Sequence, residues 1–458
     1  MKKLQIVFIA LFFVLLALPL VFFNWEENVV SEIDNRQLTN NPFGPNAEPG
    51  ADLTASLESY VQDRIGFRDE MILGYTLLND QLFHKMIHPL YEYGKDGYGF
   101  FKQKQNVQFG DYLIAFAEML AEIQDYCQAL DVPFVFVLNP EEAAVYPNKR
   151  RDGSHYDRSW VQQFEQKLGE LGVNNIDNTQ LLQDRRAEGE QVFNKVYNAG
   201  HWNDLGAFYG VNNILESLSG FFPSIQPNEL GDFAVTETLQ ETLLSSQFPI
   251  HEYEPTFGRL CELEVKTEEY DAEVARNSQH RGFGYFVNPE NVAAGAPRTL
   301  VFQGSYMNEM GFKFLQTGLG EYIYVHNYEN LMDFDYYFNI FQPECVVVEV
   351  AEYTVNSGYF NAERVENFSL NPVLTLDDAA RQADKQSLAP QIAEGERLST
   401  LTVSLPEGTR YAYLLSEGKT FDLIEGEQGW QASVEKENLS ADYTVVAVGA
   451  DGEQTRYR

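Results

Sequence analysis

Two short stretches of this sequence carry side chains suited to acyl-transfer chemistry. The first is Leu300-Val301-Phe302-Gln303-Gly304-Ser305-Tyr306, an apolar run that reads as a strand followed by a tight turn bearing a hydroxyl. The second is Ala199-Gly200-His201-Trp202-Asn203-Asp204, where a histidine sits just ahead of a helix that Asp204 is placed to cap. A serine hydroxyl is a weak nucleophile until an adjacent base accepts its proton, and the base works well only when its tautomer is held. Ser305 and His201 are therefore the candidate nucleophile and base, with Asp204 the nearest acid. Each stretch also has an ordinary reading: a Gly-Ser after a strand is usually a turn, and a His-Trp pair is usually packing.

The elements that must position these residues alternate between helix and strand. Helical spacing from Leu53 to about Phe83 predicts two helices broken near Gly66, and a helix follows from about Asp111 to Leu130. Val132–Leu138 reads as a buried strand ending at Asn139-Pro140. Helices at Ser159–Leu171, Thr179–Glu188 and Asp204–Phe221 come next, with a short strand at Val173–Ile176. Then come strands at Thr299–Phe302, Tyr322–Val325 and Cys345–Val350, separated by helices near Glu309–Leu319 and Leu331–Phe341. Such alternation predicts an α/β fold with a mostly parallel sheet covered by helices, and the C-terminal ends of its strands are where a nucleophile would be presented. Residues 53–375 are assigned to this domain, with 222–297 as an insertion. From Leu398 the pattern changes to short strands separated by Gly- and Pro-containing turns, predicting a small all-β sandwich at 398–458 behind a polar linker at 376–397.

At the N-terminus an apolar run from Leu4 to Phe23, long enough for a bilayer, follows Lys2 and Lys3 and precedes Glu26 and Glu27. A transmembrane signal anchor at 1–23 is expected, with a spacer at 24–52 and the bulk of the protein outside the cytoplasm. A cleaved signal peptide is the competing reading, but Leu18-Pro19-Leu20-Val21-Phe22-Phe23 is bulky where a cleavage site needs small residues. The formal charge of −36 over 458 residues, with no Lys/Arg stripe, excludes nucleic acid as an expected partner. Three scattered cysteines (Cys127, Cys261 and Cys345) make no disulfide framework. No pair has zinc-ligand spacing, and no metal or cofactor is expected.

Several motifs, taken in order, resemble those of the DHHW proteins and of the SGNH-hydrolase-like domain of alginate O-acetyltransferases, over about residues 33–353. They are Asp34-Asn35-Arg36-Gln37-Leu38, Asp63-Arg64-Ile65-Gly66-Phe67-Arg68, Lys95-Asp96-Gly97-Tyr98-Gly99-Phe100, His201-Trp202-Asn203-Asp204-Leu205-Gly206-Ala207, Phe302 to Tyr306, and Phe341-Gln342-Pro343-Glu344-Cys345-Val346-Val347 to Glu352. The resemblance implies an SGNH-like fold and acetyl transfer onto hydroxyls of an exopolysaccharide or cell-wall glycan, with Ser305 as nucleophile and His201 as base; deacetylation of such a glycan by the same Ser-His site is the esterase form of this reading. An acyl-donating membrane partner is left open by it. The family also uses an Asp two residues before the histidine and an Asp before the serine. Here those positions are Ala199 and Gly304. Asp204 or Glu352 is then a candidate to orient His201, with Asp204 equally placed to be only a helix cap and a Ser-His dyad without an identified acid the other reading, and Ala199→Asp would be expected to restore an orienting carboxylate. The alternative is an inactive SGNH-fold protein that binds glycan or serves envelope assembly, for which Ala199 and Gly304 would be marks of lost chemistry.

Overall fold

The computed structural model describes residues 2–31, 36–47, 52–88, 90–102, 107–153, 156–243, 248–274, 282–426 and 428–458. Asp34 and Asn35 of the first motif lie outside the described residues. Helix α1 (Lys2–Val21) is the one helix among them long and apolar enough to cross a membrane. Two short strands, β1 (Val30–Ser31) and β2 (Arg36–Gln37), pair before helices α2 (Leu53–Arg64) and α3 (Arg68–Phe83). The stretch expected as a spacer is laced to α2. The buried Arg64 guanidinium donates to the carbonyls of Leu38 and Thr39 and to Asn40 Oδ1, and Asp63 accepts from the backbone and hydroxyl of Thr39.

A hairpin follows, of β3 (Tyr91–Tyr93) and β4 (Gly99–Phe101), and then helix α4 (Asp111–Ala129). The remaining strands of this half are β5 (Phe134–Asn139), β6 (Asn175–Asp177), β7 (Phe233–Thr242), β8 (Pro249–Arg259), β9 (Glu264–Val265), β10 (Phe283–Val287), β11 (Arg298–Gln303), β12 (Glu321–His326) and β13 (Cys345–Ala351). Seven of them form one sheet in the order β6-β5-β13-β11-β12-β10-β9, parallel from β6 through β12. All of β5 and β13 is buried, as near-continuous apolar strands covered on both faces must be. The segment expected as an insertion is thus partly integral: β10 and β9 extend the sheet antiparallel beyond β12, and β7 and β8 form a separate hairpin.

Residues beyond the α/β domain form one eight-stranded sheet curled around its own apolar core. Its strands are β14 (Arg381–Ala383), β15 (Gln391–Glu394), β16 (Leu398–Val403), β17 (Thr409–Ser416), β18 (Lys419–Gly426), β19 (Gly429–Glu435), β20 (Thr444–Gly449) and β21 (Gln454–Tyr457). Residues 376–397, expected as a linker, supply the two edge strands β14 and β15 of that sheet. A polar clasp joins the sheet to the α/β core. Asn339, buried on helix Phe334–Phe341, donates to the carbonyl of Asp422 and accepts from its N–H at 2.8 and 3.0 Å, while Tyr126 donates to the Asp422 carboxylate. Replacing Asn339 by Ala strands a buried N–H and C=O, so chemical denaturation should show a loss of about 1–3 kcal/mol.

Candidate functional site

The site is built where β11 and β13 end. Ser305 opens the helical turn two residues beyond β11, and Tyr353 lies two residues beyond β13. His201 arrives from a loop 104 residues earlier, and its Nε2 lies 2.8 Å from Ser305 Oγ. Trp202 is the reason the loop reaches that far. Its indole is fully buried, donates to the carbonyl of Tyr306 at 3.1 Å, and lies against Gly210, where an added Cβ would meet the ring at 2.2 Å. The residue after the histidine is thereby fixed to the residue after the serine, and Tyr306 is fixed in turn through its hydroxyl to the carbonyl of Pro140.

The direction of each hydrogen bond in the site follows from one carboxylate. Glu309 accepts from Asn198 Nδ2 at 3.0 Å, which leaves Asn198 Oδ1 to face His201 Nδ1, also at 3.0 Å. An amide oxygen only accepts, so Nδ1 carries the imidazole proton and Nε2 is the free acceptor. Ser305 therefore donates its proton to Nε2. The Tyr353 hydroxyl, 3.0 Å from Ser305 Oγ, then donates to that oxygen. Burial holds Tyr353 protonated, pushing its pKa above the ordinary 10.0. Burial also lowers His201 below the ordinary 6.5, partly offset by the nearby Glu309 carboxylate, so the imidazole is neutral at neutral pH.

Asp204 is not brought to His201. Its carboxylate accepts two 2.7 Å bonds from Lys313 Nζ and one from the backbone of Phe257, and the helix N-cap is Asn203, whose side chain accepts from Gly206. Glu352 is no substitute either, since its carboxylate is engaged by Arg158 and Tyr156. The side chain that meets His201 Nδ1 is Asn198, one residue before the position where the motif placed an acid. Its φ of 49° puts it in the left-handed region that Asn tolerates, and the turn closes with His201 N–H on the Asn198 carbonyl.

Three further carboxyls frame the site. Glu349 on β13 accepts from the N–H of Gly304 and from Asn139, and burial raises it to about 7. A carboxyl thus stands beside Gly304 although Gly304 itself has none. Glu252 on β8 accepts from the N–H groups of Lys195, Val196 and Tyr197, and Glu254 holds Asn194, so the β7–β8 hairpin clamps the histidine loop from outside.

Ala199 is buried among Met86, Tyr91, Leu243 and Phe248, and shares a small cavity with Glu142. Neither Glu142 carboxyl oxygen has a hydrogen-bond partner among the described residues, and burial favours its neutral form. This corrects the expectation for Ala199→Asp. A second carboxyl would enter an apolar pocket while Nδ1 is already bonded, so thermal or chemical denaturation should show a loss of about 1–3 kcal/mol, with no gain in any activity that depends on His201.

Residues 93–292 match the family model of the SGNH hydrolase-like domain of acetyltransferase AlgX, a span that includes the histidine loop and ends before Ser305. A search of curated proteins finds no sequence relative. Among solved structures, Bacillus cereus PatB1 is 15% identical with a TM-score of 0.44, covering 57% of this chain and 96% of its own. A DHHW family protein from Eubacterium siraeum is 14% identical with a TM-score of 0.44, covering 63% and 98%. Pseudomonas aeruginosa AlgX is 13% identical with a TM-score of 0.41, covering 80% and 89%. Residues 93–292 are thus similar to an SGNH hydrolase-like domain, within an α/β half that is followed by a curled C-terminal β region and, among the described residues, preceded by one membrane-length apolar helix.

Proposed function

We propose, from the SGNH hydrolase-like acetyltransferase domain that residues 93–292 match, that this protein transfers acetyl groups onto hydroxyls of an exopolysaccharide or cell-wall glycan. The observation that carries the reading is the ordered chain Glu309–Asn198–His201–Ser305, which leaves a neutral imidazole nitrogen 2.8 Å from a hydroxyl. In the first half-reaction Ser305 Oγ bonds to the acyl carbon of the donor while its proton passes to His201 Nε2. Asn198 accepts from Nδ1–H throughout and steadies the imidazolium, as a third group does in triads generally. The proton then goes to the departing oxygen or sulfur of the donor. In the second half-reaction a glycan hydroxyl gives its proton to the same nitrogen and attacks the acyl-serine, the acyl–Oγ bond breaks, and Nε2 returns that proton to Ser305 Oγ. Tyr353, whose O–H points at Ser305 Oγ at rest, is freed when that oxygen becomes an ester and can turn its O–H to the developing oxyanion. Helix α1 fits a membrane anchor with the remainder outside the cytoplasm, where the glycan is.

Incubation with an activated acetyl ester should give an acetyl-enzyme detectable by intact mass, absent from Ser305→Ala. Asn198→Ala should slow acylation by about 10²–10⁴-fold, far more than the modest fall in melting temperature expected from alanine at a left-handed backbone position can explain. Labelling that survives Ser305→Ala would overturn the assignment of the nucleophile. No labelling together with saturable glycan retention would favour a binding module.

The acylation rate should fall as pH drops through the lowered His201 pKa, placing the acid limb below the ordinary 6.5. Asn198→Asp puts a carboxylate against Nδ1, favours the imidazolium, and should move that limb upward. A limb unmoved by this substitution would count against the Asn198–His201 contact in solution.

A further inference from the structure

The two helices that follow the anchor are arranged with their polar residues inward. On α2 the buried side chains are Tyr60, Asp63 and Arg64, while Leu57 and Val61 are exposed. On α3 the buried ones are Thr76 and Asn79, at 4% and 8% exposure, whereas Tyr75, Leu78 and Leu82 stand 57%, 52% and 67% exposed at helical spacing. A helix packed on a water-soluble core shows the reverse pattern. The side of α3 towards the protein is held by polar contacts instead: Asp80 accepts from Tyr93, and His84 stacks on the same ring.

What covers the outward face is given by the joint between α2 and α3. Gly66 donates its N–H to the carbonyl of Pro19 inside α1, and an added Cβ there would lie 2.4 Å from the Phe22 carbonyl oxygen. Asn24 N–H donates to the carbonyl of Arg64, and the rings of Phe22 and Phe67 meet edge to face at 5.0 Å. The elbow is therefore seated on the last turn of the membrane-length helix, level with its exit from the apolar run. Trp25 and Phe23 cluster with Tyr60 at the same height, in the manner of an interfacial aromatic belt.

We propose that α3 lies in the outer membrane–water interface, with Tyr75, Leu78 and Leu82 sunk among the lipid headgroups and upper acyl chains. This rests on reading α1 as a membrane anchor. An interfacial helix needs an apolar face and a polar one, not a long hydrophobic span, and about 24 Å of α3 supplies both. With Asp69, Glu70 and Asp80 on or beside it, apolar burial and not attraction to anionic headgroups provides the affinity. The consequence for the site is orientation. α3 holds Tyr93 of the β3–β4 hairpin, and that hairpin packs through Tyr91 and Phe101 on Ala199 and Gly200 beside His201, so the reactive pair keeps a fixed height and facing relative to the bilayer.

The test uses the full chain in phosphatidylcholine vesicles containing a nitroxide-labelled lipid, with a single fluorescent thiol label in a Cys261→Ser background. Cys127 and Cys345 are buried and do not compete for the label. Labels at Leu78→Cys and Leu82→Cys should be quenched by the lipid nitroxide and blue-shifted, as should a label at Leu11→Cys in the anchor, while one at Glu407→Cys should be unaffected. Adding Gly66→Ala should reduce quenching at positions 78 and 82 without changing position 11. Quenching at position 11 with none at 78 and 82, or access of aqueous iodide to those two, overturns the proposal and leaves the anchor standing. No quenching at any of these positions overturns both.

Discussion

One carboxylate sets the direction of every proton in the candidate site. Glu309 takes the amide nitrogen of Asn198, so only the amide oxygen is left for His201 Nδ1, and only Nε2 is left for Ser305. Reverse that amide and the imidazole would present N–H to the serine, which a nucleophile cannot use. An amide in the third position is adequate for orientation. It does not raise the histidine pKa as a carboxylate would, and this suits a buried imidazole that has to stay neutral at neutral pH.

The rest of the architecture keeps that short chain in register. β11 and β13 bring Ser305 and Tyr353 to the same sheet edge, and the indole of Trp202 joins the histidine loop to the residue after Ser305. Glu252 gathers three consecutive N–H groups of the loop from the hairpin side. Beneath the serine, Glu349 and Asn139 begin a buried polar chain that continues through Asn178 to Asn213, tying β13 and β5 to the helix that begins at Asp204. A buried chain of this kind is costly unless each member is satisfied, which makes its geometry demanding and therefore specific.

Much of this was legible in the sequence. The alternation of apolar runs with helical spacing identified β5, β11, β12 and β13, and the Gly-Ser after β11 and the His-Trp before a helix identified the pair that the fold brings together. The orienting group was missed because the acid was sought two residues before His201, where Ala199 is part of an apolar pocket. Two signals were available. Asn198 is the polar neighbour of that Ala, and Glu309 lies four residues after Ser305, one helical turn along the same face. Asp204 and Asn203 are both good capping residues, so a single sequence could not say which would cap. The β7–β8 hairpin was invisible for a different reason: most of β7 is exposed, and the inward side of β8 carries Glu252 and Glu254 in place of apolar residues, so the apolar alternation that marks a half-buried strand is missing.

The proposed proton transfer from Ser305 requires one tautomer of His201, which can be measured directly. Long-range ¹H–¹⁵N correlation on protein labelled with ¹⁵N-histidine, assigned by comparison with His201→Asn, reports which ring nitrogen is protonated. At neutral pH the geometry predicts a neutral ring with the proton on Nδ1 and Nε2 bare, changing towards a mixture in Asn198→Ala. A neutral ring protonated on Nε2 in the parent protein would contradict the account, because the nitrogen facing Ser305 could not then accept its proton.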